Sequence, residues 1–137
     1  MRCTYDYAVV RVVPRVERGE FVNVGVIVSC ATQGLLAAAI EFDEARLLAL
    51  DPHADLAAIH AALAAIPRIC AGGAAAGPLG ALSVRERFHW LVAPRSASVQ
   101  TSPVHTGRSE SFEPLLARLM REMVLPPAPK TLRQPAG

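Results

Sequence analysis

Charged residues, aromatic side chains and cysteines are all scarce in this chain of 137 residues. Only 19% of the residues are charged and 5% are aromatic, whereas 52% are hydrophobic. A composition this apolar excludes an intrinsically disordered chain. No run reaches the roughly 18 uninterrupted apolar residues that a spanning helix needs, and the N-terminus lacks the apolar block of a signal peptide. We therefore expect a cytoplasmic protein with no membrane segment.

The cysteines are three in number, Cys3, Cys30 and Cys70, and they are widely spaced. An odd set at such spacing favours reduced thiols over a disulfide framework. No two of them form a C-x-x-C pair, which argues against zinc. We therefore expect no metal site and no cofactor.

The net charge is +2, and the segment 126–137 accounts for all of it, with two basic residues and no acid. The rest of the chain is formally neutral, which argues against non-specific nucleic-acid binding. The same segment holds four prolines and no apolar cluster, so it cannot offset the entropy of ordering. We expect one folded domain over residues 1–125 and a disordered proline-rich tail over residues 126–137.

Three segments near the N-terminus predict β-strands. Residues 4–13, 21–30 and 35–42 are rich in valine and other strand-forming residues, and turn signals separate them. The charged loop at 15–20 and the turn at 32–34 are short, so we expect an antiparallel meander. In the second strand, alternate residues are apolar and should share one face; they are Val22, Val24, Val26, Val28 and Cys30.

Helix signals dominate the rest of the chain. The predicted helices run from Asp43 to Leu50, from Asp51-Pro52 to an end at Pro67 and Gly72-Gly73, from a capping box at Ser83 and Glu86 to Val92, and onward from Ser111 with Pro114 in the first turn. Residues 71–81 predict a flexible loop, and residues 97–101 a fourth strand that Pro103 restricts to an edge or a strand end. The order predicts an α+β fold, an antiparallel sheet (the three-strand N-terminal meander plus the fourth strand) covered on one face by helices.

Two neighbouring strands offer one polar pair. A hairpin centred near Glu17 places Arg11 opposite Asn23, and Val9 opposite Gly25. One interpretation is a niche for a small anion. The other, which we favour, is that Arg11 pairs with Asp6 or Glu41 while the glycine admits close packing.

The densest polar chemistry lies in residues 85–107, which hold the single tryptophan, two histidines and three arginines. His89, Arg95 and His105 could form an acid–base or phosphate site, and we expect them to gather on one surface. No carboxylate is clearly free to orient either histidine, so the same residues could equally be a solvated face. The candidate binding residues are Arg11, Asn23, Arg87, His89, Trp90, Arg95, Ser96, Gln100 and His105.

Several segments together resemble a family of small bacterial proteins, domain-of-unknown-function family 3037. They are Tyr7–Pro14, Glu20–Val26, Ile66–Gly73, Arg87–Ser96 and Ser102–Gly107. The resemblance covers roughly residues 3–125 and implies no activity. It does suggest an accessory protein that partners a HipA-like kinase, and it marks Arg11, Asn23, Gly25, Arg87, His89, Trp90, Arg95, Ser96 and His105 as positions of interest.

Three functions are consistent with the sequence. The first is a non-enzymatic cytoplasmic binding module whose partner protein docks near residues 85–107. The second is a small enzyme or a nucleotide- or phosphate-binding protein that uses His89, Arg95 and His105. The third and weakest is nucleic-acid binding through local arginines, with Trp90 as a stacking platform; these arginines are Arg85, Arg87, Arg95 and Arg108.

Overall fold

A computed structural model of the protein describes residues 3–95 and 97–127. Its strands and helices are β1 (Cys3–Val12), β2 (Val22–Cys30), β3 (Leu35–Ile40), α1 (Glu44–Leu50), α2 (Leu56–Ala71), α3 (Val84–Val92), β4 (Val99–Thr101), β5 (His105–Ser109) and α4 (Glu113–Met123), with short 3-10 helices at Val16–Arg18, Ala31–Gln33 and Ala74–Ala81. The α+β class and the antiparallel N-terminal meander are confirmed. The predicted tail lies almost entirely outside the described residues.

All the pairing in the sheet is antiparallel, and the main path runs β3-β2-β1-β4. The outer side of β1 carries two strands in succession, because β4 pairs with residues 10–12 and β5 pairs with residues 3–7. The predicted fourth strand is confirmed in a shorter form. The fifth strand was missed, since its sequence, His-Thr-Gly-Arg-Ser, lacks the apolar alternation that identifies a strand.

A β-bulge in β2 changes which residues share a face. Arg11 lies opposite Asn23 as expected, but Val10 rather than Val9 lies opposite Gly25, so Val24 is the extra residue. The four valines of the strand are all buried. They divide between two cores, because the alternation shifts at the bulge: Val22 and Val24 pack with α1, α2 and α3, whereas Val26 and Val28 pack with α4.

The helices lie on both faces of the sheet, whereas the sequence pattern predicted helices on one face. Core residues of α1, α2 and α3 pack against Val10, Val12 and Ile27. Core residues of α4 pack against Tyr5 and the disulfide-linked end of β1 and β2. The sequence did not show that α4 covers a different sheet face from the other helices, because the apolar stripe of a helix does not indicate which face of the sheet the helix will cover.

The predicted helix starts are correct for α1 and α3 and wrong for α2 and α4. Asp43 accepts a hydrogen bond from the Arg46 N–H, and Ser83 and Glu86 form both bonds of the capping box. Helix α2 is capped by Asp55 rather than by Asp51, whose buried carboxylate instead accepts from the N–H of His53. Helix α4 begins after Phe112, with Pro114 in its first turn as expected, and Ser111 provides no side-chain cap.

The predicted end of α2 at Gly72 is confirmed, whereas the expectation that Pro67 ends the helix is wrong. Pro67 lies inside the helix, which continues to Ala71 and ends at Gly72. The positive φ of Gly72, +74°, is a backbone conformation that glycine adopts without strain. The glycine-rich segment after it, which was predicted as a flexible loop, contains two short 3-10 turns within Ala74–Ala81 that are interrupted at Gly77, where the backbone is not helical. The N–H of Gly73 donates to the carbonyl of Gly80.

Cys3 and Cys30 are joined by a disulfide, so the expectation of three reduced thiols is wrong for these two. The reason is non-local: β1 and β2 bring the two residues to adjacent strand ends with a Cα–Cα distance of 6.6 Å. Cys70 is a free, buried thiol. In the described residues no single helix is long and apolar enough to cross a membrane, and only α2 together with the segment Ala74–Ala81, bent by 64°, reaches that length and apolarity.

Candidate binding cavity

A cavity of about 470 Å³ lies between α2, α3 and β4, on the sheet face that carries three helices. This volume falls within the range of small-molecule and peptide side-chain pockets. Its wall is mainly apolar and contains Ile59, Ile66, Ile69, Leu91 and Val99. A second cavity of similar volume, about 450 Å³, lies at Arg15, Asp51 and His53, and its lining is mostly polar.

Alanines on α2 create the space. Ile59, Leu63 and Ile66 belong to the core. Beside them Ala58, Ala62 and Ala65 line the cavity together with Ile59 and Ile66. A methyl group in place of a longer side chain leaves α2 and β4 unable to close on each other. The sequence analysis noted the isoleucine–leucine stripe and missed this flanking row of alanines, although their three- and four-residue spacing could have revealed it.

Trp90 and Arg95 form the polar end of the cavity. The guanidinium carbon of Arg95 lies 4.1 Å from the Trp90 ring centroid, a cation–π contact, and its Nη2 donates a hydrogen bond to the Trp90 carbonyl. Trp90 remains 42% exposed despite this contact. Pro94 lies between them at the end of α3, where the chain turns back toward β4. The stacking therefore holds a positive charge at the cavity mouth.

The outer edge of β4 runs along the same cavity. The Val13 N–H donates to the Ser98 carbonyl and the Ser102 N–H donates to the Val9 carbonyl. In an antiparallel pair such bonded positions alternate with unbonded ones. By this alternation Arg11 and Gln100 exchange bonds, and the N–H and C=O groups of Val99 and Thr101 point away from β1.

Asp55 and Arg95 are the sole ionisable side chains of the cavity wall within the described residues. The carboxylate of Asp55 accepts the Ala58 N–H as the cap of α2. Neither histidine of the 85–107 segment lines the cavity. Within the described residues no hydrogen bond joins Asp55 to the hydroxyl of Ser98 or Thr101, and Thr101 Oγ1 donates to the carbonyl of Val92.

Comparison with known proteins places the chain in a family. Residues 7–124 match the family described as "Protein of unknown function (DUF3037)". The chain belongs to the DUF3037 family. No curated protein matches the chain, and no solved structure matches it. Membership confirms the resemblance seen in the sequence and assigns no activity.

Arg87, in one of the DUF3037-like segments, has a structural role. Its side chain is buried, and Nη1 donates to the carbonyls of Ile69 and Cys70 at 2.7 Å while Nε donates to Leu82 at 3.1 Å. The carbonyls of Ile69 and Cys70 belong to the last turn of α2, where they have no partner within the helix. Gly72 leaves room for the guanidinium, because a Cβ there would lie 2.9 Å from Nη1.

The polar pair Arg11 and Asn23 lies on the opposite sheet face from the cavity. Arg11 forms no ion pair within the described chain, so the proposed partners Asp6 and Glu41 are wrong; its guanidinium instead stacks over Phe21 at 4.1 Å. The Asn23 Nδ2 donates to the carbonyl of Met123 in α4. The buried Arg11 Nε and Asn23 Oδ1 have no protein partner in the described structure.

Gln100 extends this polar row across three strands, because it is the β4 partner of Arg11. Its side chain donates to the Ala97 carbonyl. Gln100 thus belongs to the segment that lines the cavity while its side chain shares a sheet face with Arg11 and Asn23. Gly25 lies on the cavity face and fits the packing interpretation, since a Cβ there would lie 2.5 Å from the carbonyl oxygen of Ala39.

Neither histidine forms a hydrogen bond or an ion pair with Arg95 among the described residues. His105 lies on β5 and stacks on Tyr7, with ring centroids 5.3 Å apart, and Tyr7 packs with the α4 core. His89 is exposed on α3. No hydrogen bond or ion pair of the described residues joins His89, Arg95 and His105, and Ser96 lies outside those residues. Of the described candidates, Trp90, Arg95 and Gln100 line the cavity, whereas the other described candidates do not; these are Arg11, Asn23, Arg87, His89 and His105.

The DUF3037-like segment from Ser102 to Gly107 also has structural roles. The Val9 N–H donates to Ser102 Oγ, which replaces a ladder bond where β4 gives way to β5. Pro103 occupies this break, as its missing N–H requires. Gly107 accommodates the ring of Tyr5, since a Cβ at this position would lie 2.5 Å from the phenol oxygen.

Proposed function

We propose that this DUF3037 protein is a binding module, and that the cavity between α2, α3 and β4 receives a segment of a partner protein. The observation that supports this proposal is the cavity itself, which has a volume of about 470 Å³ and a mainly apolar wall. One stacked arginine lies at its mouth and a sheet edge runs along its side. Apolar pockets with a few placed polar groups are typical of binding sites.

The composition of the wall favours binding over catalysis. Its ionisable groups are Asp55 and Arg95, and the former is engaged as a helix cap. A phosphate or nucleotide site built on His89, Arg95 and His105 has less support, because His105 is stacked on Tyr7, away from Arg95.

Nucleic-acid binding has less support still. One of its four proposed arginines, Arg87, is buried and bonded to helix carbonyls. A strip of phosphate contacts would need exposed guanidinium groups.

The identity of the partner is a separate proposal. A HipA-like kinase is the candidate that the family resemblance suggests, and a cytoplasmic location is part of the same proposal. Neither rests on a contact in the structure. The proposal about the cavity is independent of both.

A pair of variants on α2 tests the cavity. Ala62 lines it, whereas Ala64 is exposed on the same helix outside it. We expect random 12-residue peptides displayed on phage to enrich against the immobilised wild type. The enriched peptides should bind Ala64→Trp as they bind the wild type and should lose at least about tenfold in affinity for Ala62→Trp, whose indole occupies the mouth.

Thermal melting provides the control, since both substitutions place tryptophan on an exposed face and should leave the folded state intact. Two results would contradict the proposal. One is a selection that enriches no sequence. The other is a set of enriched peptides that bind Ala62→Trp as tightly as the wild type.

A further inference from the structure

We propose that the partner segment binds in an extended conformation, adding a strand to the outer edge of β4, with an acidic residue placed beside Arg95. This inference rests on the proposed function, because it names the kind of segment that the cavity receives. It concerns three features that lie together: the open edge, the apolar wall and the positively charged mouth.

The open edge supplies both donors and acceptors. The N–H and C=O groups of Val99 and Thr101 point away from β1, and no backbone partner in the described chain takes them up. An added peptide strand presents the same alternation of donors and acceptors and can pair with all four groups. A small carboxylate could accept from one of these N–H groups but would leave both carbonyls unpaired. The edge therefore favours a peptide.

The cavity lies where the side chains of an added strand would point. Val99 and Thr101 pair with Val12 and Val10, whose side chains face α2 and α3. Side chains of neighbouring strands at paired positions share a face. Every second side chain of a strand beside β4 would therefore turn toward the apolar wall, and the intervening side chains would turn away. An alternating apolar sequence meets this requirement.

The positive charge of Arg95 at the cavity mouth favours a peptide that carries an acidic residue. Arg95 forms no ion pair with a carboxylate in the described chain, and its contacts are the Trp90 ring and the Trp90 carbonyl. One Nη2 hydrogen bond leaves further N–H groups on the guanidinium, which pair well with a carboxylate. Asp55, the other ionisable residue of the wall, caps α2 and forms no ion pair with Arg95 in the described chain. An aspartate or glutamate on the peptide fits here.

The test uses the strongest peptide from the phage selection in two N-methylated forms. One form carries methyl groups on the amides of even-numbered residues and the other on those of odd-numbered residues. A strand on the edge of β4 directs the N–H groups of one set to the protein and those of the other to solvent. We expect one form to lose roughly tenfold or more in affinity and the other to stay within about twofold. Fluorescence anisotropy measures both.

Arg95→Met provides the second arm, because it retains an apolar side chain of similar length without the charge. Replacing the acidic residue of the peptide by its amide should weaken binding to the wild type. The same replacement should have little effect on binding to Arg95→Met. A dependence on the acid that survives this substitution would overturn the role of Arg95.

The outcomes separate this inference from the proposed function. If both methylated forms bind equally well while Ala62→Trp still blocks the cavity, strand addition is wrong and the cavity function stands. Enrichment of peptides without alternating apolar residues would also count against the extended conformation. If sedimentation shows a wild-type dimer that Ala62→Trp dissociates, a second copy of this chain is the occupant and the peptide proposal fails.

Discussion

Replacing Arg87 by methionine should destabilise the protein strongly while leaving the cavity unchanged. The buried guanidinium donates three hydrogen bonds, two of them to the last turn of α2 at 2.7 Å and one to Leu82 at 3.1 Å. Methionine keeps most of the apolar stem and removes every donor. The carbonyls of Ile69 and Cys70 then lose their partner at a buried site.

The size of the effect follows from these contacts. A hydrogen bond to a charged group contributes about 1.5–3 kcal/mol, and a buried acceptor left unpaired costs about 1–3 kcal/mol. Part of this loss in stability is offset, because the substitution also removes a buried charge whose desolvation was unfavourable. We expect the free energy of unfolding to fall by about 3 kcal/mol in Arg87→Met.

Urea unfolding followed by circular dichroism measures this change. Arg85→Met is the matched control, since Arg85 is exposed on the same helix and should alter stability by less than about 0.5 kcal/mol. A loss below about 1 kcal/mol in Arg87→Met, at an unchanged denaturant slope, would refute the view that Arg87 ties α3 to the end of α2.

Three other substitutions or conditions test the packing. Burial raises the pKa of the Cys70 thiol to about 11 from its usual 9.0; stability should therefore fall as the pH rises from 9 to 11, because the unfolded thiol ionises first, and a Cys70→Ala control that shows the same fall would contradict this. Gly107→Ala should lower stability by about 1–3 kcal/mol, since the new Cβ would meet Tyr5, and an unchanged urea midpoint would be inconsistent with that contact. Cys3→Ser should cost roughly 3.5 kcal/mol in oxidising buffer, because the disulfide to Cys30 constrains the unfolded chain across a separation of 27 residues; equal losses with and without dithiothreitol would argue against the bond.

Local chemistry explains which parts of the fold were predictable. The capping box of Ser83 and Glu86 and the cap at Asp43 depend on residues three positions apart, and both were identified correctly. Hydrogen bonds from Ser83 also hold the pKa of the Glu86 carboxyl below its usual value. The three N-terminal strands were recognisable because valines dominate them.

Non-local contacts explain what was not predictable. The extra residue Val24 shifts the alternation in β2, and nothing in its immediate neighbourhood marks a bulge. Strand β5 depends on the fit between Gly107 and Tyr5, residues far apart in the chain. The pairing of Cys3 with Cys30 likewise appears only once the strands are side by side.

The candidate site was predictable in part. The segment 85–107 was chosen for its polar residues, and it does contribute Trp90 and Arg95 to the cavity. The histidines drew attention to chemistry that the geometry does not assemble. The alanines of α2 were overlooked because a small side chain carries no chemical signal, although the space they leave defines the cavity.

The most direct test of the central claim is to measure nuclear Overhauser effects between methyl-labelled protein and the strongest selected peptide bound to it. The account predicts contacts from alternate apolar side chains of the peptide to the methyl groups of Ile66, Ile69 and Leu91, all of which line the cavity. Contacts confined to residues of the α4 face, such as Leu116, or to residues outside the cavity wall would contradict it.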